Sequence, residues 1–535
     1  MNTKYVFVTG GVVSSVGKGT VAASLGRLFK SRGLKVSVQK FDPYINVDAG
    51  MLTPTQHGEI FITDDGAQGD LDLGHYERFV DVNATKLSDI TTGIVYDNVI
   101  RRERRGEFNG GTVQVIPHIT NEIMNILSSN AEQQNADISM VEIGGTVGDI
   151  EGLPYIEAIR QFKHKVGSDN VCHVHLTLIP SVGPWHELKT KPTQHSVIKL
   201  RELGIQPDVL ICRSEYPMTD EMREKISLFC NVPVEAVIGS EMVGTVYELP
   251  LVYEKYGLAD YIMSQLKMEK ITPDLSKWEK MVEAAKNPKE SCTVAVVGKY
   301  IENGDAYISI EEACKAGAYD LGNTCKMKWV SAEDIETEAP EKYLKDVDAI
   351  IVPSGFGERG AMGKIIAAKY ARENNIPFVG MGYGMQMAVV ETARNIAGIE
   401  DANSIEVDPK TANPIVHARP AVTEFDSYGP AMRLGAYPCK IVPGTLLDKI
   451  YETPVVYERH RHRYDINNKY KDILAKAGMV ISGMSPDETI IEAVERPDCD
   501  FFIATSFNPE FKSRPDVPHP IFKALIKKAF DNKNK

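Results

Sequence analysis

A glycine-rich loop near the start of the chain has the residues needed to bind phosphate groups. The loop covers residues 10–20 and lies between a β-branched segment, 5–9, and a helical pattern. Its backbone N–H groups and the N-terminus of the following helix would attract phosphate oxygens, and Lys18 would add a point charge. The loop is one residue longer than the usual P-loop, and Gly19 follows the lysine. A turn without a ligand is the alternative, but the flanking strand and helix favour a phosphate site.

Charged residues follow two other strand-like segments. Lys40 and Asp42 come at the end of the segment 34–41, and Glu142 lies in the strand-like sequence MVEIGG. Carboxylate oxygens are the ligands that Mg²⁺ prefers, so Asp70 together with Glu142 would suit a magnesium ion that also contacts substrate phosphates. Taken singly, each acid fits a helix cap or a surface charge better than a metal ligand.

Composition excludes several classes of protein. The net charge of −13 argues against general nucleic-acid binding, and no apolar run is long enough to span a membrane. The eight cysteines occur without any CxxC pair, so neither a disulfide framework nor a zinc site is expected. The first ten residues lack the pattern of a signal peptide, and we expect a cytoplasmic protein.

Two halves of similar organisation should position these residues. A chain of 535 residues is too long for one core. Each half opens on a β-branched strand and alternates apolar strands with helical patterns, which predicts an α/β fold of two doubly wound, Rossmann-like parallel sheets. We predict a first domain over 1–267, a linker over 268–291 that docks through Trp278, and a second domain over 292–535.

The ordered motifs along the chain resemble the CTP synthase family. The motifs are GGVVSSVGKG, FDPYINVD, DLDLGHYERF, TVQVIPHIT, EIGGTVGDIE, KTKPTQHSV, GIQPD and FCNV. The resemblance extends over the second half, so it implies a P-loop-type synthase domain followed by a class I glutamine amidotransferase-like domain. It also implies ATP-dependent amination of UTP at C4 through a phosphorylated intermediate, and a homotetramer that could form filaments.

The resemblance implies roles for matching residues. Lys18 and Lys40 would stabilise the transferred phosphoryl group, and Asp70 and Glu142 would hold Mg²⁺. The residues that would bind ATP are Ser15, Val16, Gly17, Lys18, Gly19, Thr20, Asp70, Arg213, Glu241, Met242 and Val243. Those that would bind UTP or CTP are Ser14, Asp149, Ile150, Glu151, Lys189, Thr190, Lys191, Pro192, Thr193, Gln194 and Lys225.

The glutaminase half departs from the family pattern at its catalytic residues. Gly382 stands where the family has the nucleophilic cysteine, and Asn508 stands where it has the histidine base. Glycine cannot form a covalent acyl-enzyme and an amide does not titrate near neutral pH, so we predict that glutaminase activity is absent. The degenerate site comprises Gly355, Gly382, Glu406, Arg463, Asn508 and Glu510. The segment 421–430 also looks shorter than the family's lid, which puts activation by GTP in doubt.

The synthase half has departures of its own. Gln68 replaces an acid, and Trp185 and His186 replace small residues beside the predicted UTP loop. Together with His57 they predict a reshaped pocket for an amine donor, although neutral drift is the alternative. The nucleophile would then be free ammonia or another amine, including an amino acid, and the product CTP or an N4-substituted analogue. A regulatory relative that co-assembles with an active synthase, and a synthase with engineered changes, remain the other readings.

Overall fold

A computed structural model describes residues 3–13, 16–418, 425–426 and 429–533. The chain divides into two compact units. The first comprises Met1–Ala49 and Asp72–Val282, and the second comprises Gly50–Leu71 and Glu283–Lys535. The segment 50–71, which the sequence analysis included in the first domain, is therefore part of the second unit.

The first unit contains a parallel sheet of seven strands. The strands are β1 (Lys4–Gly10), β2 (Val36–Asp42), β3 (Asp89–Thr91), β4 (Ile138–Ile143), β5 (Val171–Ile179), β6 (Val209–Ser214) and β7 (Val237–Glu241), in the spatial order β7-β6-β5-β1-β4-β2-β3. The central strand β1 is buried over almost its whole length, which explains its continuous apolar sequence. Because all strands run the same way, their carboxyl ends share one edge, where doubly wound folds bind ligands.

Helices cover this sheet. They are Lys18–Lys30, Asp72–Val80, Thr92–Arg104, Thr120–Gln133, Leu153–Val166, Lys191–Glu202, Asp220–Cys230, Leu249–Lys255, Leu258–Gln265 and Ser276–Lys286. The last of these is the predicted linker helix, and its Trp278 is fully buried against Phe79 and Tyr247. The Trp278 indole donates a hydrogen bond of 2.7 Å to the Tyr247 carbonyl oxygen. This bond gives the one polar atom of the buried side chain a partner.

The second unit contains a mixed sheet of nine strands. The strands are β8 (Ser291–Gly298), β9 (Thr324–Ser331), β10 (Ala349–Val352), β11 (Phe378–Met381), β12 (Arg433–Ile441), β13 (Val455–His462), β14 (Val480–Met484), β15 (Ile491–Glu495) and β16 (Phe502–Thr505), in the order β9-β8-β10-β11-β16-β15-β14-β12-β13. The first five strands of that order are parallel and the other four pair antiparallel. The prediction of two doubly wound α/β domains is confirmed, with an antiparallel extension in the second.

The helices of the second unit include one from the segment 50–71. They are Pro54–His57, Ile308–Asp320, Ala332–Thr337, Glu341–Leu344, Ala361–Glu373, Tyr383–Asn395, Leu446–Tyr451, Lys471–Lys476 and Pro520–Lys533. No helix in the described part of the chain is long and apolar enough to cross a membrane.

Candidate active site

The glycine-rich loop of the first unit leads directly into the helix Lys18–Lys30. Gly17 precedes the helix with a φ of 100°, a conformation that favours glycine. The Lys18 ammonium donates a hydrogen bond of 2.8 Å to the Gly145 carbonyl oxygen, and the Arg213 guanidinium donates one of 2.8 Å to that of Val16. Ser14 and Ser15, which were predicted to contact nucleotide, lie outside the described residues. The loop therefore has the strand–turn–helix context that a phosphate site requires.

A buried charge cluster lies beside this loop. Lys40 on β2 and Glu142 on β4 are directly opposite in the parallel register, so both side chains leave the sheet on the same face. The Lys40 ammonium lies 2.5 Å from Asp72 Oδ2 and 3.3 Å from Asp42 Oδ1. A Cβ added to Gly19 would lie 2.3 Å from Asp72 Oδ1 and 3.3 Å from Glu142 Oε2, so only glycine lets the loop approach both carboxylates this closely.

The pKa values of the two carboxylates in this cluster are shifted in opposite directions. Burial and the nearby charge of Asp72 raise the pKa of Glu142 to about 7. Burial also opposes ionisation of Asp72, but the positive charge of Lys40 outweighs it and lowers the pKa of that carboxyl. The Tyr76 hydroxyl donates a hydrogen bond to Glu142. Two acids held this close repel each other, and a divalent cation between them would remove that repulsion.

The structure pairs Glu142 with Asp72, whereas the sequence analysis paired it with Asp70. Asp70 belongs to the segment 50–71 of the second unit, while Asp72 begins the helix Asp72–Val80 of the first. Tyr76, one turn later on that helix, bonds the same glutamate. The i, i+4 spacing of Asp72 and Tyr76 was the sequence signal that could have identified the pair. No group of three His, Cys, Asp or Glu side chains that could hold a metal occurs among the described residues.

A cavity of about 230 Å³ opens at the carboxyl ends of β6 and β7. It brings together seven residues from the predicted ATP set: Val16, Gly17, Thr20, Arg213, Glu241, Met242 and Val243. Leu176, Leu249 and Tyr253 add apolar surface on the same cavity. A planar apolar group such as a nucleobase could bind there with its phosphates directed to the loop, which remains a prediction for this chain.

The predicted UTP residues have two kinds of environment. Thr193 and Gln194 are buried, and Gln194 donates a hydrogen bond of 3.2 Å to the Thr190 hydroxyl, so these side chains support the start of the helix Lys191–Glu202. Lys189 forms an exposed ion pair of 2.6 Å with Glu187. The Lys191 ammonium lies 5.4 Å from the centre of the Phe229 ring.

The remaining UTP candidates lie on two other elements. Lys225 lies one turn before Phe229 on the helix Asp220–Cys230, the helix that Lys191 contacts. Pro192 occupies the first turn of the helix Lys191–Glu202. Asp149, Ile150 and Glu151 form an exposed turn before the helix Leu153–Val166. The exposed cations and this turn are the parts of the set that a solvent-borne ligand could reach.

The four residues predicted to form an amine pocket are divided between the two units. His57 and Gln68 belong to the second unit, whereas Trp185 and His186 lie on a short hairpin of the first. The Arg461 side chain donates a hydrogen bond of 3.0 Å to Gln68 Oε1. His186 contacts the Tyr216 hydroxyl at 3.2 Å, and Trp185 is 91% exposed. Neither unit by itself assembles the predicted pocket.

The second unit has a sharp turn between β11 and the helix Tyr383–Asn395. Gly382 occupies this turn with φ 52° and ψ −110°, which side-chain-bearing residues rarely adopt. Such strand-to-helix elbows present a nucleophile in many hydrolases. Here a Cβ on Gly382 would lie 2.3 Å from the Ser354 hydroxyl oxygen. The elbow is retained, but the space for its side chain is taken by Ser354.

Asn508 and Glu510 lie next to the elbow. The Asn508 amide donates hydrogen bonds of 2.8 Å to Ser354 Oγ and to Glu510 Oε1. Burial raises the pKa of Glu510 to about 8. Glu406 accepts a hydrogen bond of 2.8 Å from the Gly357 amide, and Arg463 donates one of 2.7 Å to the Pro430 carbonyl oxygen. The structure thus brings Gly382, Asn508, Glu510 and Glu406 to the loop 353–357, whereas the bond of Arg463 goes to Pro430.

Comparison with known proteins accounts for both units. Residues 4–268 match the family model described as CTP synthase N-terminus, and residues 303–528 match glutamine amidotransferase class-I. The CTP synthase of Nostoc punctiforme is 53% identical over 98% of this chain and 97% of the relative. That of Carboxydothermus hydrogenoformans is 54% identical over 98% of each. The chain belongs to the CTP synthase family.

A solved structure is also similar to part of this chain. The glutaminase domain of Trypanosoma brucei CTPS with bound acivicin is 38% identical, covering 45% of this chain and 94% of that chain with a TM-score of 0.42.

In this member of the CTP synthase family, two lysines that the sequence analysis missed bind the loop 353–357. This loop faces the elbow at Gly382. Lys299 donates a hydrogen bond to the Phe356 carbonyl oxygen, and Lys364 donates one of 2.6 Å to that of Pro353. Burial and the charge of Arg359 lower the pKa of Lys299 to about 8, and burial and the charge of Lys299 lower that of Lys364. No sequence pattern marked them, because one follows a strand and the other lies within a helix.

Proposed function

We propose that this chain is an ATP-dependent ligase that aminates C4 of UTP with free ammonia or another amine, without glutamine hydrolysis. The ligase activity is that of the CTP synthase family, whose members convert UTP to CTP with ATP. The observation that carries the finer proposal is the elbow at Gly382, where Ser354 occupies the space of a side chain. Asn508 at the base position supports it, because an amide cannot accept the proton of a nucleophile.

The synthase chemistry rests on the charge cluster of the first unit. We propose Asp72 and Glu142 as the residues that hold Mg²⁺, which would neutralise phosphate charge during transfer. Lys18 and Lys40 would stabilise negative charge on the phosphoryl group as it moves from ATP to the C4 oxygen of UTP. An amine then forms a bond to C4, and the C4–O bond breaks with release of phosphate and loss of the amine's proton.

The experiment supplies purified protein with ATP, Mg²⁺, UTP and one nitrogen source at a time. Ammonium, methylamine and a panel of amino acids are compared with glutamine, and ADP release and product mass are measured. We expect turnover with at least one amine and none driven by hydrolysis of glutamine. A product mass equal to CTP identifies ammonia, and a larger mass identifies the substituted amine. Absence of ADP release with every amine would overturn the proposal in favour of a regulatory relative.

A pair of lysine variants distinguishes the role of the charge cluster in turnover from the general effect of removing a lysine. Lys40→Ala should reduce turnover by about 100-fold or more, the usual loss on removing a group that stabilises transition-state charge. Lys35→Ala, at an exposed position just before β2, should leave turnover unchanged. The homotetramer, the filaments and the UTP contacts stay predictions that follow from the family. The cytoplasmic location stays a prediction from the first ten residues.

A further inference from the structure

A buried histidine connects the strand before the glycine-rich loop to the helix Lys191–Glu202. His175 lies in the middle of β5, opposite Thr9 of β1 in the parallel register. Its Nδ1 atom lies 2.9 Å from the Thr9 hydroxyl oxygen, and its Nε2 atom lies 2.8 Å from the Ser196 hydroxyl oxygen on the helix. All three side chains are buried. The imidazole therefore bridges the strand that leads into the loop and the helix.

The loop also packs directly against this bridge. A Cβ added to Gly11 would lie 1.7 Å from the Ser196 hydroxyl oxygen and 3.4 Å from His175 Nε2, so the loop backbone lies against both groups. The Gly11 amide donates a hydrogen bond of 3.0 Å to the Leu176 carbonyl oxygen of β5. The position of the loop is thus tied to that of the helix.

The charge state of the imidazole suits it to join two hydroxyl groups. Burial and the positive charge of Lys18 lower the pKa of His175 to about 3, so the ring is neutral at pH 7. A neutral imidazole has one N–H donor and one acceptor nitrogen, whereas a hydroxyl can both donate and accept. One hydroxyl can therefore donate to the ring while the ring donates to the other, which gives both ring nitrogens a partner.

Neighbouring residues on the same face of β5 show what is particular to His175. Thr177, two residues later, contacts the Thr193 hydroxyl oxygen of the helix at 3.0 Å. His173, two residues earlier, is buried and stacks on Phe7 with ring centres 5.5 Å apart. Its Nδ1 atom has no hydrogen-bond partner among the described residues. Of these three side chains, His175 is the one whose described contacts join the strand before the loop to the helix.

We propose that His175 is a positioning residue that couples binding of ATP at the glycine-rich loop to binding of UTP at the first turn of the helix Lys191–Glu202. The inference rests on the proposed function, with ATP phosphates at Lys18 and UTP at residues such as Lys191. Phosphates that fix the loop would also fix Thr9 and, through the imidazole, the helix. The second nucleotide then has less chain motion to suppress, so it binds more tightly.

Isothermal titration calorimetry of the full chain with UTP, with and without a non-hydrolysable ATP analogue and Mg²⁺, tests the proposal. The measured quantity is the factor by which the analogue lowers the Kd for UTP, and it does not depend on the fraction of folded protein. We expect about fivefold or more in the wild type, and UTP must tighten binding of the analogue by the same factor. His175→Phe, which removes both bonds at similar volume, should bring the factor close to one.

Further variants distinguish the bridge from general packing. Ser196→Ala removes the helix end of the bridge and leaves the ring in place, so it should also lower the factor and serves as the test if His175→Phe does not fold. The double variant should lose no more than His175→Phe alone, because both changes break one connection. His173→Phe is the matched control on the same face of β5 and should keep the wild-type factor.

Three results would overturn the inference. They are a wild-type factor close to one, an unchanged factor in His175→Phe or Ser196→Ala, and an equal loss of the factor in His173→Phe.

The outcomes also separate this inference from the proposed function, because nucleotide binding is measured without an amine. Amine-dependent turnover with an unchanged factor in His175→Phe would sustain the function and refute the coupling. Loss of the factor in His175→Phe, together with no ADP release from the wild type with any amine, would sustain the coupling and refute the function.

Discussion

At the scale of single residues, Ser354 occupies the space that a side chain at position 382 would need. A side chain at position 382 meets the Ser354 hydroxyl, and that hydroxyl is fixed by the Asn508 amide and by its own bond to the Met381 carbonyl oxygen at 3.2 Å. Ser354, Gly382 and Asn508 are therefore linked by contact, and a change at one of them meets the other two.

We predict that Gly382→Cys alone gains no glutaminase activity and destabilises the fold by about 1–3 kcal/mol, because of its φ and the contact with Ser354. The triple variant Gly382→Cys, Ser354→Gly, Asn508→His should release glutamate from glutamine, because the elbow and Glu510 remain in place. The assay is glutamate release, with Gly382→Cys, Asn508→His as the matched control. Equal activity of the double and triple variants would show that Ser354 is no obstacle.

Sequence reasoning could single out residues at this site because the family motifs have fixed spacing along the chain. It placed Gly382 and Asn508 at the positions of a nucleophile and a base, and the structure brings both to the same elbow. It did not single out Asp72, which contacts Lys40 within the first unit, and its choice of Asp70 stays a prediction. Two acids separated by one residue look equivalent in the sequence, and only the fold distinguishes them.

At the scale of elements, the helix Ser276–Lys286 packs on the first unit through the side chain of Trp278. Trp278 contacts Phe79 and Tyr247, and the Arg27 guanidinium lies 4.3 Å from the centre of its ring. The amphipathic pattern of the linker predicted this burial, and Met281 and Val282 complete the buried face. The pattern could not predict the partners, which come from distant parts of the sequence.

Trp278→Ala should lower the free energy of unfolding by about 3–5 kcal/mol, the usual cost of removing a large buried aromatic side chain. Trp185→Ala is the control, since Trp185 is 91% exposed and its loss should change stability by no more than about 0.5 kcal/mol. Denaturant unfolding measures both. A comparable loss in the two variants would contradict the assignment of Trp278 as the anchor.

The whole chain is interleaved: it enters the second unit at Gly50, returns to the first at Asp72 and leaves it again after Val282. Contacts within the second unit fix the early segment. The Arg459 guanidinium, whose side chain is fully buried, bonds Asp64 Oδ1 at 2.6 Å, and Phe61 packs on Phe511 with ring centres 5.1 Å apart. Composition and periodicity could not predict that residues 50–71 join the second unit. Such patterns indicate strands and helices, but they do not indicate which hydrophobic core an element packs into.

Asp64→Asn should destabilise the protein by about 1–3 kcal/mol, because it leaves a buried guanidinium with a weaker partner. Burial opposes ionisation of Asp64, but Arg459 lowers its pKa below the ordinary value of 3.8. The contribution of this pair is therefore complete above about pH 3.8 and is lost as the pH falls further.

Asp97→Asn breaks an exposed i, i+4 pair with Arg101 and serves as the control, with an expected change of about 0.5 kcal/mol or less. Thermal unfolding at pH 7 and at pH 3 compares the variants. A difference between wild type and Asp64→Asn that grows on acidification would contradict the prediction.

The interleaved path has a consequence for synthesis on the ribosome. Asp64 precedes Arg459 by 395 residues, so at about 5–20 residues per second the early segment is exposed for roughly 20–80 s before its partner is made. The first unit must therefore fold while residues 50–71, including the apolar Phe61, have no core to pack into. Translation speed and chaperone binding to that nascent segment should therefore set the yield of folded protein more than the final stability of either unit.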